Sequence, residues 1–131
     1  MKIVLATDGG PVSRKMLAYV ASNGMWFRRE YTYVLLHVAP PSAIKSDPDG
    51  RHARAVLDEG AEFLLHQIGF DPIKIARIGK AADIIPDFAR RHECNMIVMG
   101  SHGHSRLESL VLGSVTQGVL TNSHVPVLVV R

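Results

Sequence analysis

Glycines near the C-terminal end have a spacing that suits phosphate binding. Gly100 and Gly103 are followed, after nine residues, by Gly113 and Ser114, so the segment reads G-x-x-G-x(9)-G-S. Glycine at the end of a parallel strand lets backbone N–H groups approach a phosphate without obstruction by a Cβ atom. A helix N-terminus adds unpaired donors and partial positive charge. The spacing predicts a cradle for a phosphorylated small molecule, and the alternative is a glycine turn plus helix cap without a ligand.

Motifs for several other chemistries are absent from the sequence. The chain has no G-x-x-x-x-G-K-[ST] loop, no H-E-x-x-H, no C-x-x-C and no G-x-G-x-x-G after its first apolar run. His102 and His104 flank Gly103, but two histidines without a third or fourth ligand do not predict a metal site. Phosphate contact or solvent exposure is the interpretation for this pair. Cys94 has no positioned partner for nucleophilic chemistry and is interpreted as a small apolar residue.

Hydrophobic periodicity alternates between short apolar runs and helical spacing along the sequence. The apolar runs predict strands at residues 2–7, 32–38, 72–78, 95–99 and 125–130. The helical spacing predicts helices at residues 13–27, 56–68, 81–92 and 114–120, with a surface loop at 45–51. Pro86 inside the third of these helices leaves open a later start of its first turn.

This alternation predicts an α/β fold, a doubly wound parallel sheet with helices on both faces. Ligands bind such sheets at the carboxyl ends of the strands, where the strand order reverses. The first and fourth strands are natural neighbours at that point. Their ends carry Thr7-Asp8-Gly9-Gly10 and Met99-Gly100, which combine glycine with polar groups. We therefore expect the two ends to form one site.

Composition restricts the class of protein. The 131 residues fit a single domain, 1–131, and 47% of them are hydrophobic. No apolar run reaches the roughly 18 residues of a membrane span, and the first run reads as a buried strand because Asp8 interrupts it, so no membrane partner or secretion signal is expected. A single cysteine favours a cytoplasmic location. The net charge of +3 is scattered and aromatics make up 6%, which disfavours nucleic acid as a partner.

The chain resembles the universal stress protein family, in its ATP-binding subgroup, over essentially its whole length. The resemblance rests on Ile3-Val4-Leu5-Ala6-Thr7-Asp8-Gly9 with Ser13, on Leu35-Leu36-His37-Val38, on Gly79, on Met99-Gly100-Ser101-His102-Gly103 with Leu112-Gly113-Ser114-Val115, and on Val125-Pro126-Val127-Leu128-Val129-Val130. It implies an open sheet of five parallel strands in the order 3-2-1-4-5, of the adenine-nucleotide alpha-hydrolase-like type. Gly10 departs from the family pattern, which more often has serine there.

The resemblance also implies a ligand and the residues that bind it. The ligand is ATP, with Mg²⁺ or Mn²⁺ bound through the phosphates. Asp8 and the backbone at Val38 would hold the adenine and ribose, and Gly100, His102 and Gly103 the ribose and phosphates. Arg106 would reach a γ-phosphate or play a surface role. The implied site is Thr7, Asp8, Gly9, Val38, Met99, Gly100, His102, Gly103, Gly113, Ser114, Val115 and Thr116.

Three functions are consistent with these residues. Hydrolysis needs a positioned water and an activating group, and Asp8 is the one carboxylate that can be placed near the pocket. An ATP-binding stress-response regulatory module is therefore preferred over a slow ATPase or adenylyl-transfer enzyme. A ligand-free dimeric scaffold is the further alternative.

The last predicted strand, which begins at Val125 and ends at Val130, is apolar and would lie at a sheet edge, so it predicts a homodimer. The downstream protein partner is not identified by the sequence.

Overall fold

The strands and helices follow one another as the apolar pattern predicts. A computed structural model describes residues 1–103 and 111–131. The strands are β1 Lys2–Ala6, β2 Thr32–Ala39, β3 Ile73–Ile78, β4 Met96–Gly100 and β5 Val127–Val130. The helices within these residues are α1 Pro11–Ser22, α2 Ala43–Ser46, α3 Arg51–Ile68, α4 Ala81–Arg91 and α5 Ser114–Asn122. The strands form a parallel sheet in the order β3-β2-β1-β4-β5, which confirms the predicted order.

Helices cover both faces of the sheet, and each face has its own core. On one face, Leu5 and Leu35 pack with α1 and α3. On the other face, Val4 and Leu36 pack with α4 and α5. Neighbouring residues of a strand point to opposite faces, so strands buried on both sides are continuously apolar. This is why β1 and β2 appear in the sequence as unbroken hydrophobic runs.

Helix α4 continues through Pro86 from its first residue, so the later start left open by the sequence does not occur. Proline has no N–H to bond the carbonyl four residues earlier, which belongs to Ala82. That carbonyl accepts a hydrogen bond from Asn122 Nδ2 of α5 at 3.3 Å instead. The helices approach closely because Gly118 has no side chain, and a Cβ there would lie 2.5 Å from Ala82 Cβ. A partner on α5 therefore compensates for the proline in α4.

Several predicted boundaries were wrong. Helix α1 begins at Pro11, which is compatible with a first helical position, and ends at Ser22. Residues 45–51 are not all loop, because Lys45 belongs to α2 and Arg51 begins α3. The early start of α3 follows from Asp47, whose carboxylate accepts hydrogen bonds from the backbone N–H groups that follow Arg51. Strand β5 begins at Val127, not at residue 125.

Candidate functional site

The carboxyl ends of β1 and β4 meet beside a cleft, at the point where the strand order reverses. Parallel pairing aligns Leu5 with Val98, so the residues after Ala6 and after Met99 lie side by side. The cleft has a cavity of about 130 Å³. Its lining is Ala6, Thr7, Asp8, Ser13, Leu36, Val38, Ala81, Ile85, Met99, Gly100, His102, Gly103, Val115 and Thr116. The two strand ends that the sequence singled out therefore share one site.

Asp8 is held in a fixed orientation by the turn that enters α1. Its Oδ1 accepts hydrogen bonds from the Gly10 N–H at 2.8 Å and from Ser13 Oγ at 2.7 Å. The Ser13 hydroxyl in turn accepts the Asp8 N–H at 3.0 Å. An aspartate that bonds the N–H two residues later forms an Asx turn. Ser13 is buried, so the carboxylate is positioned by a rigid partner before any ligand arrives.

The glycines of the β4–α5 segment are required by close approach and not by backbone angle. A Cβ at Gly100 would lie 2.5 Å from Val12 Cγ1, and one at Gly103 would lie 2.9 Å from Asp8 Oδ2. Gly113 has ordinary extended angles, φ −65° and ψ 160°, but a Cβ there would lie 3.0 Å from His102 Cα. Its N–H donates to the Ser101 carbonyl at 2.8 Å. This bond fixes the start of α5 against the turn after β4.

The first turn of α5 presents backbone donors at the cleft. Within the backbone that the structure describes, the N–H groups of Ser114, Val115 and Thr116 have no hydrogen-bond acceptor, as expected for the first residues of a helix. The Thr116 side chain is buried, and its hydroxyl donates to the Gly100 carbonyl at 2.9 Å. The hydroxyl therefore connects α5 to the end of β4, and the N–H groups are the donors that face an incoming anion.

The β1–β2 ladder ends in a way that exposes backbone groups of Val38. Thr7 N–H donates to Leu36 C=O at 2.9 Å, and parallel geometry would next pair Val38 N–H with Thr7 C=O. That carbonyl instead accepts a hydrogen bond from His37 Nδ1 at 2.9 Å. The register between the two strands ends at Leu36. Val38 thus lies beyond the last paired residue on the β1 side, with its N–H and C=O at the cleft.

The apolar wall of the cleft comes partly from residues that no sequence motif singles out. Leu36 and Met99 are buried on the sheet, and α4 contributes Ala81 and Ile85 from the opposite side. The only signal in the sequence was that Ala81 and Ile85 share the apolar face of a helix four residues apart. The wall is apolar and uncharged, which suits a heterocyclic base.

The structure brings most of the predicted residues to the cleft, but it places some of them elsewhere. Thr7, Asp8, Val38, Met99, Gly100, His102, Gly103, Val115 and Thr116 line the cavity. Gly9 turns away toward Val56 with a positive φ of 79°, and Gly113 and Ser114 lie at the N-terminus of α5 and are not among the lining residues. His104 and Arg106, considered above for metal or phosphate contact, lie outside the described residues.

Among the residues that the structure describes, no arrangement matches a metal site or an activated thiol. Residues 1–103 and 111–131 contain no group of three or more His, Cys, Asp or Glu side chains arranged to hold a metal ion. Cys94 is buried, and this burial raises the pKa of its thiol, which opposes nucleophilic use. Among the helices in those same ranges, none combines the length and apolar character required to cross a bilayer.

Comparison with known proteins gives consistent matches along the sequence. The model of the universal stress protein family matches residues 1–131. Universal stress protein Slr1230 of Synechocystis is 30% identical over 131 residues, which are 99% of this chain but 42% of that protein. Universal stress protein MJ0531 of Methanocaldococcus jannaschii is 30% identical over 138 residues, which are 99% of this chain and 81% of that protein. The sequence therefore spans less than half of one relative and most of the other.

Solved structures share the fold. Hypothetical protein MJ0577 aligns with a TM-score of 0.80 and 29% identity, over 98% of this protein and 94% of that one. A universal stress protein from Archaeoglobus fulgidus in complex with dAMP aligns with a TM-score of 0.77 and 22% identity, over 100% and 98%. A universal stress protein in complex with cAMP aligns with a TM-score of 0.76 and 21% identity, over 100% and 96%. From the match of the family model along residues 1–131 and from these relatives, we conclude that the protein belongs to the universal stress protein family.

Proposed function

We propose that this protein is a regulatory module that binds ATP in the cleft between the ends of β1 and β4. The observation that carries the proposal is the convergence, in one cleft, of three kinds of group: backbone groups of Val38, an oriented Asp8, and the unpaired N–H groups of α5. Relatives of the same fold that bind dAMP and cAMP support an adenine nucleotide as the ligand.

Each part of the nucleotide has a matching surface. The adenine base would lie against the apolar wall of Leu36, Ile85 and Met99, with its polar edge at Val38 and Asp8. A base edge that carries one donor and one acceptor is complementary to a backbone carbonyl and N–H. The phosphates would lie at the α5 N-terminus, where the N–H groups of Val115 and Thr116 and the helix dipole favour negative charge.

A divalent cation would enter with the phosphates and not as a resident metal. Asp8 is the one carboxylate among the described residues that line the cleft, and its Oδ1 already accepts two hydrogen bonds. Mg²⁺ commonly binds through one or two carboxylates together with substrate phosphates. We propose that Mg²⁺ or Mn²⁺ is held by the phosphates of ATP and neutralises part of the phosphate charge.

The same arrangement argues for binding over turnover. Water activation in phosphoryl transfer uses a positioned acid, glutamine or similar group near the terminal phosphate. Within the described lining, Asp8 is the one acid, no Glu or Gln is present, and Asp8 Oδ1 already accepts two hydrogen bonds. We therefore propose that nucleotide occupancy biases the conformation or partner choice of a cytoplasmic stress-response protein, and that hydrolysis is slow at most.

The proposal also includes a homodimer through the β5 edge. Strand β5 lies at the end of the sheet, and its four residues, Val127–Val130, are only partly buried. Pairing with a second copy would cover this apolar edge.

Mass spectrometry of the small molecule released from the denatured pure protein tests the main proposal, together with calorimetric titration of ATP and ADP. We expect an adenine nucleotide and saturable binding. Robust multiple-turnover ATPase activity that is lost in Asp8→Ala would favour the enzyme alternative. An absence of binding at millimolar nucleotide would favour the ligand-free scaffold.

A further inference from the structure

A second, larger cavity adjoins the cleft at the carboxyl end of β2. It has a volume of about 350 Å³ and shares Asp8 and Val38 with the cleft. Its other walls are His37, Ala39, Pro40, Ala43, Ser46, Asp47 and His52. Ala43 and Ser46 belong to α2, Asp47 follows α2, and His52 lies in the first turn of α3. The two cavities therefore meet at the two residues to which the polar edge of the base is assigned.

His37 gives this second cavity a defined polar group. The residue is 5% exposed, and its Nδ1 bonds the Thr7 carbonyl, which can only accept. Nδ1 therefore carries a proton, and Nε2 is the ring nitrogen that is left for other contacts. Nε2 makes no hydrogen bond within residues 1–103 and 111–131, yet no side-chain nitrogen or oxygen there is both fully buried and unpartnered. Nε2 is thus open to the cavity that His37 lines.

The remaining walls determine which chemistry fits. Ala39 and Ala43 are buried and small, and the His52 ring lies edge to face with His37 at a centroid distance of 6.2 Å. Asp47 is committed to the start of α3, because its two oxygens accept the N–H groups of His52 and Ala53 at 3.2 Å. In the described lining, no Lys or Arg is present and two carboxylates are. The cavity suits an uncharged, flat or aliphatic group and disfavours an anion.

We propose that this cavity receives an uncharged substituent on the exocyclic amine of the adenine base, so that the protein accepts N6-substituted adenine nucleotides. The inference rests on the proposed function, because it assumes that the base edge lies at Val38 and Asp8. An exocyclic amine placed at Val38 and Asp8 would lie at the boundary between the two cavities, so a substituent on that amine would extend toward the second cavity. A benzyl-sized group would pack against Ala39 and Ala43, and its ring would contact the two imidazoles.

The first test compares ADP with N6-benzyl-ADP on the wild-type protein by calorimetric titration. We expect the Kd of N6-benzyl-ADP to be within about threefold of that of ADP, since added apolar contact offsets the ordering of one more side group. Binding of ADP together with a loss of roughly 100-fold or more for N6-benzyl-ADP would overturn the inference and leave the proposed function intact, because it would show a closed wall behind the amine. If neither ligand binds, the proposed function fails and the inference fails with it.

The second test fills the cavity from α2. Ala43→Phe places a ring in the space that the substituent needs, so it should weaken N6-benzyl-ADP by about tenfold or more while changing the ADP Kd by less than about threefold. Ile44→Phe is the matched control, because Ile44 is on the same helix, is 65% exposed and does not line the cavity. It should change neither ligand.

A milder variant guards against a folding defect in Ala43→Phe. His52 is exposed, so His52→Ala should fold normally and weaken N6-benzyl-ADP severalfold without affecting ADP. Equal effects of His52→Ala on both ligands, or no effect on N6-benzyl-ADP from either cavity variant, would show that the substituent lies elsewhere and would overturn the inference.

Discussion

Replacing Gly113 with alanine should move the N-terminus of α5 away from the turn that follows β4. These two segments together form the proposed phosphate cradle. The added Cβ would lie 3.0 Å from His102 Cα, 3.1 Å from His102 Cβ and 3.5 Å from the Ser101 carbonyl oxygen. Comfortable contacts between carbon atoms begin at about 3.5 Å, so the α5 N-terminus must move by about 0.5 Å. The nearest obstacles are backbone atoms or are directly attached to the backbone, so a change of rotamer does not relieve the clash.

The displacement has two measurable consequences. The Gly113 N–H bond to Ser101 C=O, now 2.8 Å, would lengthen, and overpacking of this kind destabilises by about 1–3 kcal/mol. For a protein of this size each kcal/mol lowers Tm by roughly 3–5 °C. The α5 donors would also leave their positions opposite the phosphates. We expect ATP affinity to fall about tenfold, which corresponds to about 1.4 kcal/mol.

The assay is thermal unfolding together with calorimetric titration of ATP, and Gly24→Ala is the matched control. A Cβ at Gly24 would have no heavy atom within 4 Å, and the residue has no positive φ, so the same substitution there should change stability by less than about 0.5 kcal/mol and leave ATP binding unchanged. Wild-type affinity and Tm in Gly113→Ala would refute the argument that close approach at this glycine builds the site.

Three further outcomes are expected. In His37→Leu, Thr7 C=O becomes free to accept the Val38 N–H, so hydrogen exchange of the Val38 amide should slow and ATP binding should weaken. His37→Asn retains a side-chain donor, so it should preserve the wild-type exchange rate and ATP affinity. Unchanged exchange in His37→Leu would show that His37 does not keep the Val38 N–H unpaired. Val129→Lys should give monomers in sedimentation, and a persisting dimer would indicate another interface. Hydrogen bonds from the His52 and Ala53 N–H groups lower the pKa of Asp47. The stabilisation that Asp47 gives the folded state is therefore complete above the ordinary aspartate pKa of about 3.9 and is lost as pH falls through the lowered pKa. The Tm difference between wild type and Asp47→Ala should shrink at low pH, and a constant difference would exclude this linkage.

The order of elements could be read from the sequence because the central strands β1, β2 and β4 are buried on both faces. Unbroken apolar runs such as the one in β1 are distinctive, and their alternation with helical spacing leaves few topologies. The position of the cleft followed from the strand order, since ligands of open parallel sheets lie where that order reverses. Thr7, Asp8 and the Met99-Gly100 pair were predicted on that basis.

The finer features of the site depend on contacts that no local pattern reports. The sequence assigns His37 no role beyond its place in the Leu35-Leu36-His37-Val38 motif, and only the end of the β1–β2 ladder shows that His37 Nδ1 bonds the Thr7 carbonyl. Ser13 is marked in the sequence only by the family resemblance, which does not reveal that its hydroxyl bonds Asp8. The start of α3 was misjudged because Asp47 acts from several residues before the helix. Such positions are set by tertiary packing, which intrinsic propensity does not contain.

A crystal structure of the protein grown with millimolar MgATP would show directly whether the cleft between β1 and β4 binds the nucleotide. We expect the base edge on the Val38 backbone and Asp8, with the phosphates at the first-turn N–H groups of α5. ATP bound elsewhere on the surface, or a cleft still empty under those conditions, would contradict this expectation.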